Sequence, residues 1–132
     1  MPAIDQGTAE MLLTGLTGSG SFVATSGSLS VHLTINAPTA TVDGTPLAGT
    51  GSSPIAVTWG ASTGTSSGAI ITNTNTMTWT NGGASPWTIT GLELWDATPT
   101  RKFYGIWNGQ PYTVGPNSQF VVAAAGLSVS FP

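Results

Sequence analysis

Histidine occurs once in the 132 residues, at His32. Any Ser-His-Asp hydrolytic site would have to be assembled around it, with the imidazole as general base. Its setting argues against that role. Leu29, Val31, Leu33 and Ile35 alternate with Ser30, His32, Thr34 and Asn36, which places the imidazole on the polar face of a strand as an exposed residue. Glu93 and Asp96 are candidates for the carboxyl pair of glycoside hydrolysis, in which one protonated and one ionised group flank the scissile bond. Three positions apart on a strand they point to opposite faces. Glu93 then reads as a solvated or interfacial acid, and Asp96 as the acceptor that caps the turn 97–100. The five acids are scattered, with no DxDxDG loop for a hard cation. The Gly-rich segments lack the Lys and helix of a phosphate cradle. With no Cys there is neither a thiolate ligand nor a disulfide. No catalytic, metal-binding or cofactor-binding residue is expected.

The aromatic residues offer a different chemistry. Trp59, Trp79, Trp87, Trp95, Trp107, Tyr104 and Tyr112 would make a sugar-binding platform if their rings were exposed. The competing reading puts them in the core, where each ring supplies a large apolar area. Most are assigned to the core. Trp107, next to its Asn108-Gly109 turn, is expected at the surface.

These side chains must be held by strands. The longest strand-like run is Pro86–Ala97, PWTITGLELWDA. Its apolar residues change face at Gly91: Trp87, Ile89 and Trp95 share one side, Leu92 and Leu94 the other. Either a bulge at Gly91 shifts the register, or the strand is covered on both faces, by a second sheet and by a neighbouring chain. The second alternative is preferred because Glu93 shares a face with Trp95, and a lone acid suits an interface better than a sealed core. Residues 2–16 form the one predicted helix, with Asp5 as N-cap, Ala9, Leu12, Leu13 and Leu16 on one stripe, and Gly15 at its end. Residues 17–28 read as a Gly/Ser/Thr connector with a short strand at Phe22–Ala24, and 29–132 as the β-domain. Within it, strands are predicted at Leu29–Asn36, Ile55–Trp59, Ala69–Thr72, Thr76–Thr80, Pro86–Ala97, Lys102–Trp107, Tyr112–Val114, Gln119–Ala123 and Leu127–Phe131, with a further short candidate at Thr39–Val42 and the turn Asn108-Gly109 joining two of the strands as a hairpin. The prediction is one domain, residues 1–132: an antiparallel β-sandwich of about eight or nine short strands with a short N-terminal helix. Leu12, Leu13, Leu16, Glu93, Trp95, Trp107 and Tyr112 are its candidate interface residues.

Charged residues make up 5% of the chain and the net charge is −3. A nucleic-acid partner is not expected, because such binding rests on Lys and Arg neutralising phosphates. No apolar run is long enough for a membrane span, and the first residues lack the pattern of a secretion signal. Charge is also a main device that keeps sheet edges from pairing with other sheets. Its scarcity predicts closed edges, or pairing with other chains as the working state.

The succession AVTWGASTG, NTNTMTWTN, PWTITGLELWDA, an FYG strand and a closing AAGLSVSFP resembles a family of small virion proteins of tailed phages that infect actinobacteria, described as tail-fibre, minor tail or minor capsid proteins. The likeness covers residues 54–132 and the apolar N-terminal helix. Where members carry a YxGL-type strand after the helix, this chain has SVHLTINAP. The resemblance implies a non-enzymatic structural protein located in the virion, assembled in the host cytoplasm, without cofactor or catalytic residues. Its expected partners are the major capsid protein or other virion proteins, and further copies of itself. A single short domain favours decoration of the head shell, as a trimer at lattice threefold positions. The alternatives are a minor tail or tail-fibre component, or a carbohydrate-binding module for host-surface glycans.

Overall fold

The computed structural model describes residues 3–6, 8–10, 28–66 and 68–131. Twelve strands run through these residues: β1 (Ala3–Ile4), β2 (Ser30–Thr34), β3 (Ile55–Ala56), β4 (Thr63–Thr65), β5 (Gly68–Thr72), β6 (Met77–Thr80), β7 (Trp87–Ile89), β8 (Gly91–Trp95), β9 (Arg101–Ile106), β10 (Tyr112–Val114), β11 (Gln119–Val122) and β12 (Ser128–Phe131). Every pairing is antiparallel. One sheet has the order β1-β9-β8-β2-β3 and another β12-β5-β4, while β10 pairs β7 and β11 pairs β6. The all-β, sandwich-like class is as expected.

Alternation at period two builds the core. Val31, Leu33, Leu92 and Leu94 project inward from the large sheet. Met77, Trp79, Trp87, Ile89, Val114, Phe120, Val122 and Val129 meet them from the other strands, and Leu127 from the bend before β12. Trp79 and Trp87 are buried, but Trp59, Trp95, Trp107 and Tyr104 are half-buried and Tyr112 is exposed, so the assignment of most of the aromatic residues to the core is corrected. Two buried amides hold the loops where ladders end. Asn81 donates to the carbonyls of Ser85 and Val114 and accepts from the Gly83 N–H. Asn73 donates to those of Asn75 and Ala123 and accepts from the Leu127 N–H. Each satisfies three partners in a place where an unpaired amide would be costly.

The central run departs from both sequence alternatives. It is two strands, broken at Thr90. β7 belongs with β10, and β8 lies between β2 and β9. Thr90 donates to the Thr34 carbonyl and accepts from the Trp107 N–H, so the chain changes partners there and the apolar phase changes with it. The bulge lies elsewhere: the β8–β9 register slips between Leu94 and Trp95, because Lys102 is an extra residue between the partners Arg101 and Phe103. Gly91 is a close approach of backbones.

Three further expectations are corrected. Ala3–Ile4 is a strand on the edge of β9, extended by the Asp5 N–H to Lys102 carbonyl bond. Helical structure starts only at Gln6, where the Ala9 N–H reaches the Asp5 carbonyl at 2.9 Å. Residues 39–42 turn, with Thr39 N–H donating to the Val42 carbonyl. Asn108-Gly109 does not join β9 to β10 as a hairpin. β10 pairs β7, and Pro111 has no N–H to continue a ladder with β9. The strand expected at Phe22–Ala24, most of the connector 17–28 and the candidate interface residues Leu12, Leu13 and Leu16 lie outside the described residues.

Candidate functional site

All seven charged residues fall at positions 5, 10, 43, 93, 96, 101 and 102; residues 11–42, 44–92 and 103–132 contain none. Six of them meet in space around the bulge. The extra residue in β9 turns both Arg101 and Lys102 inward, and each is 5% exposed.

Arg101 is the hub. Its Nε–H donates to Asp5 Oδ1 at 2.9 Å, and Nη2 lies 2.8 Å from the same oxygen. Nη1 donates to Glu93 Oε1 at 3.0 Å and to the Val42 carbonyl at 3.0 Å, and lies 3.2 Å from Asp43 Oδ1. Nη2 also donates to the Ala40 carbonyl at 3.1 Å. The guanidinium stands 5.2 Å from the centre of the Tyr104 ring. Its planar fork can serve this many acceptors at once, which an ammonium could not. Burial alone would disfavour its charge. Its hydrogen bonds to Asp5 and Glu93, with the nearby charges of Asp5 and Asp43, outweigh that and raise its pKa above the ordinary value.

Glu93 is 1% exposed. Besides Arg101 it accepts the Gly44 N–H at 2.6 Å on Oε1 and the Trp95 indole N–H at 3.0 Å on Oε2. The expectation of a solvated or interfacial Glu93 is therefore corrected: the chain's own 40–44 turn covers it. Both faces of β8 are covered, but on the acid's side the cover is this turn of the same chain, where the preferred alternative placed a neighbouring chain. Trp95 is half-buried, its indole tied to Glu93 and its ring 5.6 Å from that of His32. Asp96 performs the predicted turn role. Its Oδ1 accepts the N–H groups of Thr98 at 3.0 Å and Thr100 at 2.9 Å, together with the Thr98 hydroxyl. Its Oδ2 lies 3.6 Å from Lys102 Nζ.

This arrangement fastens segments; it does not present a reacting group. One guanidinium joins the N-terminal strand, the 40–43 turn and the two central strands of the large sheet. Glu93 is committed to three donors, and Asp96 to its turn.

His32 sits opposite Glu93 in the β2–β8 register and is half-buried, not exposed as expected. Burial lowers its pKa from the ordinary 6.5, and Glu93 partly opposes the shift. A folded-state pKa below the unfolded one means that the unfolded chain takes up the proton first. The contribution is complete above about pH 6.5 and is lost as the pH falls through the window below it. Denaturant unfolding at pH 7.5 and 5.5 should show lower stability at the acid value, and His32→Gln should remove that part of the difference. An unchanged difference in the variant would exclude His32 as its source.

Trp107 and Tyr112 gather elsewhere, around Phe120. Trp107 is partly buried, its indole N–H donating to the Gly91 carbonyl at 3.2 Å. Tyr112 is 40% exposed. The sequence pattern did not single out Arg101. It also missed Asp5 as a pairing partner. The available signal was the adjacency of the only two basic residues to a strand start beside the phase-shifted acid run.

Neither the protein-family models nor the curated proteins compared with the chain match it.

Proposed function

We propose that this chain is a non-enzymatic structural protein of a phage virion, a decoration protein that docks on the head shell. One observation carries the reading. Charge is drawn into the Arg101 and Lys102 clusters, while β3–β7 and β10–β12 contain no charged residue. Sheet edges that must avoid other sheets are ordinarily guarded by Lys, Pro or inward charge. The Ala56 carbonyl of β3 is taken by the Asn75 amide, but β4 ends its sheet with only Thr and Gly, an edge suited to backbone pairing with further protein. The resemblance to small phage virion proteins supplies the setting. The role requires a rigid body rather than a reacting group, and the Arg101 clamp supplies rigidity.

Contacts without charge have a salt signature. Ion-pair docking weakens as salt screens it, whereas apolar and backbone contacts do not. Purified chain should co-sediment with DNA-free head shells equally at 50 mM and 500 mM NaCl, and should self-associate to a trimer without shells. A monomer that ignores shells, or binding lost at 500 mM NaCl, would overturn the reading.

A further inference from the structure

A groove of about 380 Å³ opens beside β11, lined among others by Trp107, Asn108, Tyr112, Gln119, Phe120 and Val121. Phe120 is its floor, 9% exposed. The Trp107 ring stands edge-on to it at 5.4 Å and the Tyr112 ring at 5.5 Å. The Tyr112 hydroxyl donates to the Asn108 carbonyl, which anchors this ring to the turn after β9. Two amides stand at the rim. The exposed Asn108 side chain has no hydrogen-bond partner among the described residues. Gln119 donates to Thr80 Oγ1 at 3.3 Å, leaving its carbonyl oxygen open. No charged residue lines the groove.

We infer that this groove binds a short stretch of neutral glycan. A charged ligand would enter an aromatic-floored groove with no counter-charge. A wholly apolar one would cover the two amides and leave them unpaired. A neutral sugar matches both walls. Its hydroxyls exchange hydrogen bonds with the Asn108 and Gln119 amides, and its C–H face lies on the rings of Tyr112 and Trp107. The volume sits at the small end of the range for ligand sites, roughly 300–1,000 Å³. The inference rests on the groove alone, and holds whether the chain sits on a head or on a tail.

The test uses the full chain and three probes, maltotriose, cellotriose and mannotriose, followed by amide and indole NMR shifts. At least one should bind saturably, with Kd on the order of 1 mM. The shifts should centre on the Trp107 indole N–H and the side-chain amides of Asn108 and Gln119. The double variant Asn108→Ala/Gln119→Ala alters two exposed side chains, so it should melt like the parent yet bind at least about tenfold more weakly. Trigalacturonate, a charged counterpart, should bind more weakly than the neutral probe by about the same factor. Failure of all three probes at tens of millimolar would overturn the inference, as would a double variant that binds like the parent or equal binding of trigalacturonate. Groove resonances that shift with protein concentration alone would also overturn it, assigning the surface to a second copy.

Discussion

Arg101→Met should cost about 3–5 kcal/mol of folding stability, a large share of the roughly 5–15 kcal/mol available to a domain. The substitution keeps much of the apolar stem but removes every donor of the fork. Glu93, 1% exposed, would retain only the Gly44 and Trp95 N–H groups against a buried negative charge. Asp5 would lose its tie across the sheet edge, the Ala40 carbonyl would lose its donor, and the Val42 carbonyl would keep only the Thr39 N–H. Arg101→Lys should rescue little, since a single ammonium cannot reach these acceptors together. A second change, Glu93→Gln in the Arg101→Met background, should recover part of the loss, because the largest penalty is the uncompensated charge. Urea unfolding of the four proteins measures this. An Arg101→Met protein within about 0.5 kcal/mol of the parent would show that the cluster is open to water and holds nothing.

Gly91→Val should abolish the folded domain or destabilise it by at least about 3 kcal/mol. A Cβ at this position would stand 2.6 Å from Pro38 Cδ, 2.7 Å from Thr34 Oγ1 and 2.9 Å from the Gly105 carbonyl oxygen. The last is backbone of β9 within the central ladder and cannot retreat without breaking the β8–β9 pairing. Valine brings two methyl groups beyond that Cβ. Its strand propensity, a fraction of 1 kcal/mol, does not offset such a clash. Gly91→Ala should show the same sign at smaller size. Thermal melts with near-ultraviolet dichroism decide the matter, and a Gly91→Val protein with the parent's midpoint would contradict the described packing.

Much of the sheet was legible because its information is local. Val31–Leu33, Met77–Trp79 and Phe120–Val122 each alternate in their own few residues, and each forms a strand with that face inward. The phase change at Gly91 was legible as a fact but not in its cause. A break in which Thr90 bonds to Thr34 and Trp107 depends on segments more than a dozen residues away. The charge cluster was hidden for the same reason. Asp5 and Arg101 are 96 positions apart, and no periodicity joins them. The β9–β10 hairpin was misread because the turn signal at Asn108-Gly109 is genuine, while the choice of partner strand is made by β7. In the aromatic groove, Trp107 and Tyr112 were singled out as interface candidates; Tyr112 is exposed, but Trp107, expected at the surface, is partly buried. Their meeting over Phe120 was not legible, since only the pairing of β11 with β6 puts Phe120 beneath them.

The proposed role is tested most directly by cryo-electron microscopy of the phage particles that the proposal expects to carry this chain, beside particles in which its reading frame is deleted. The account predicts a small β-sandwich on the outer face of the head, repeated at threefold positions, with uncharged strand edges against its neighbours and no counterpart in the deletion particles. Density confined to the tail, or particles identical with and without the chain, would contradict it.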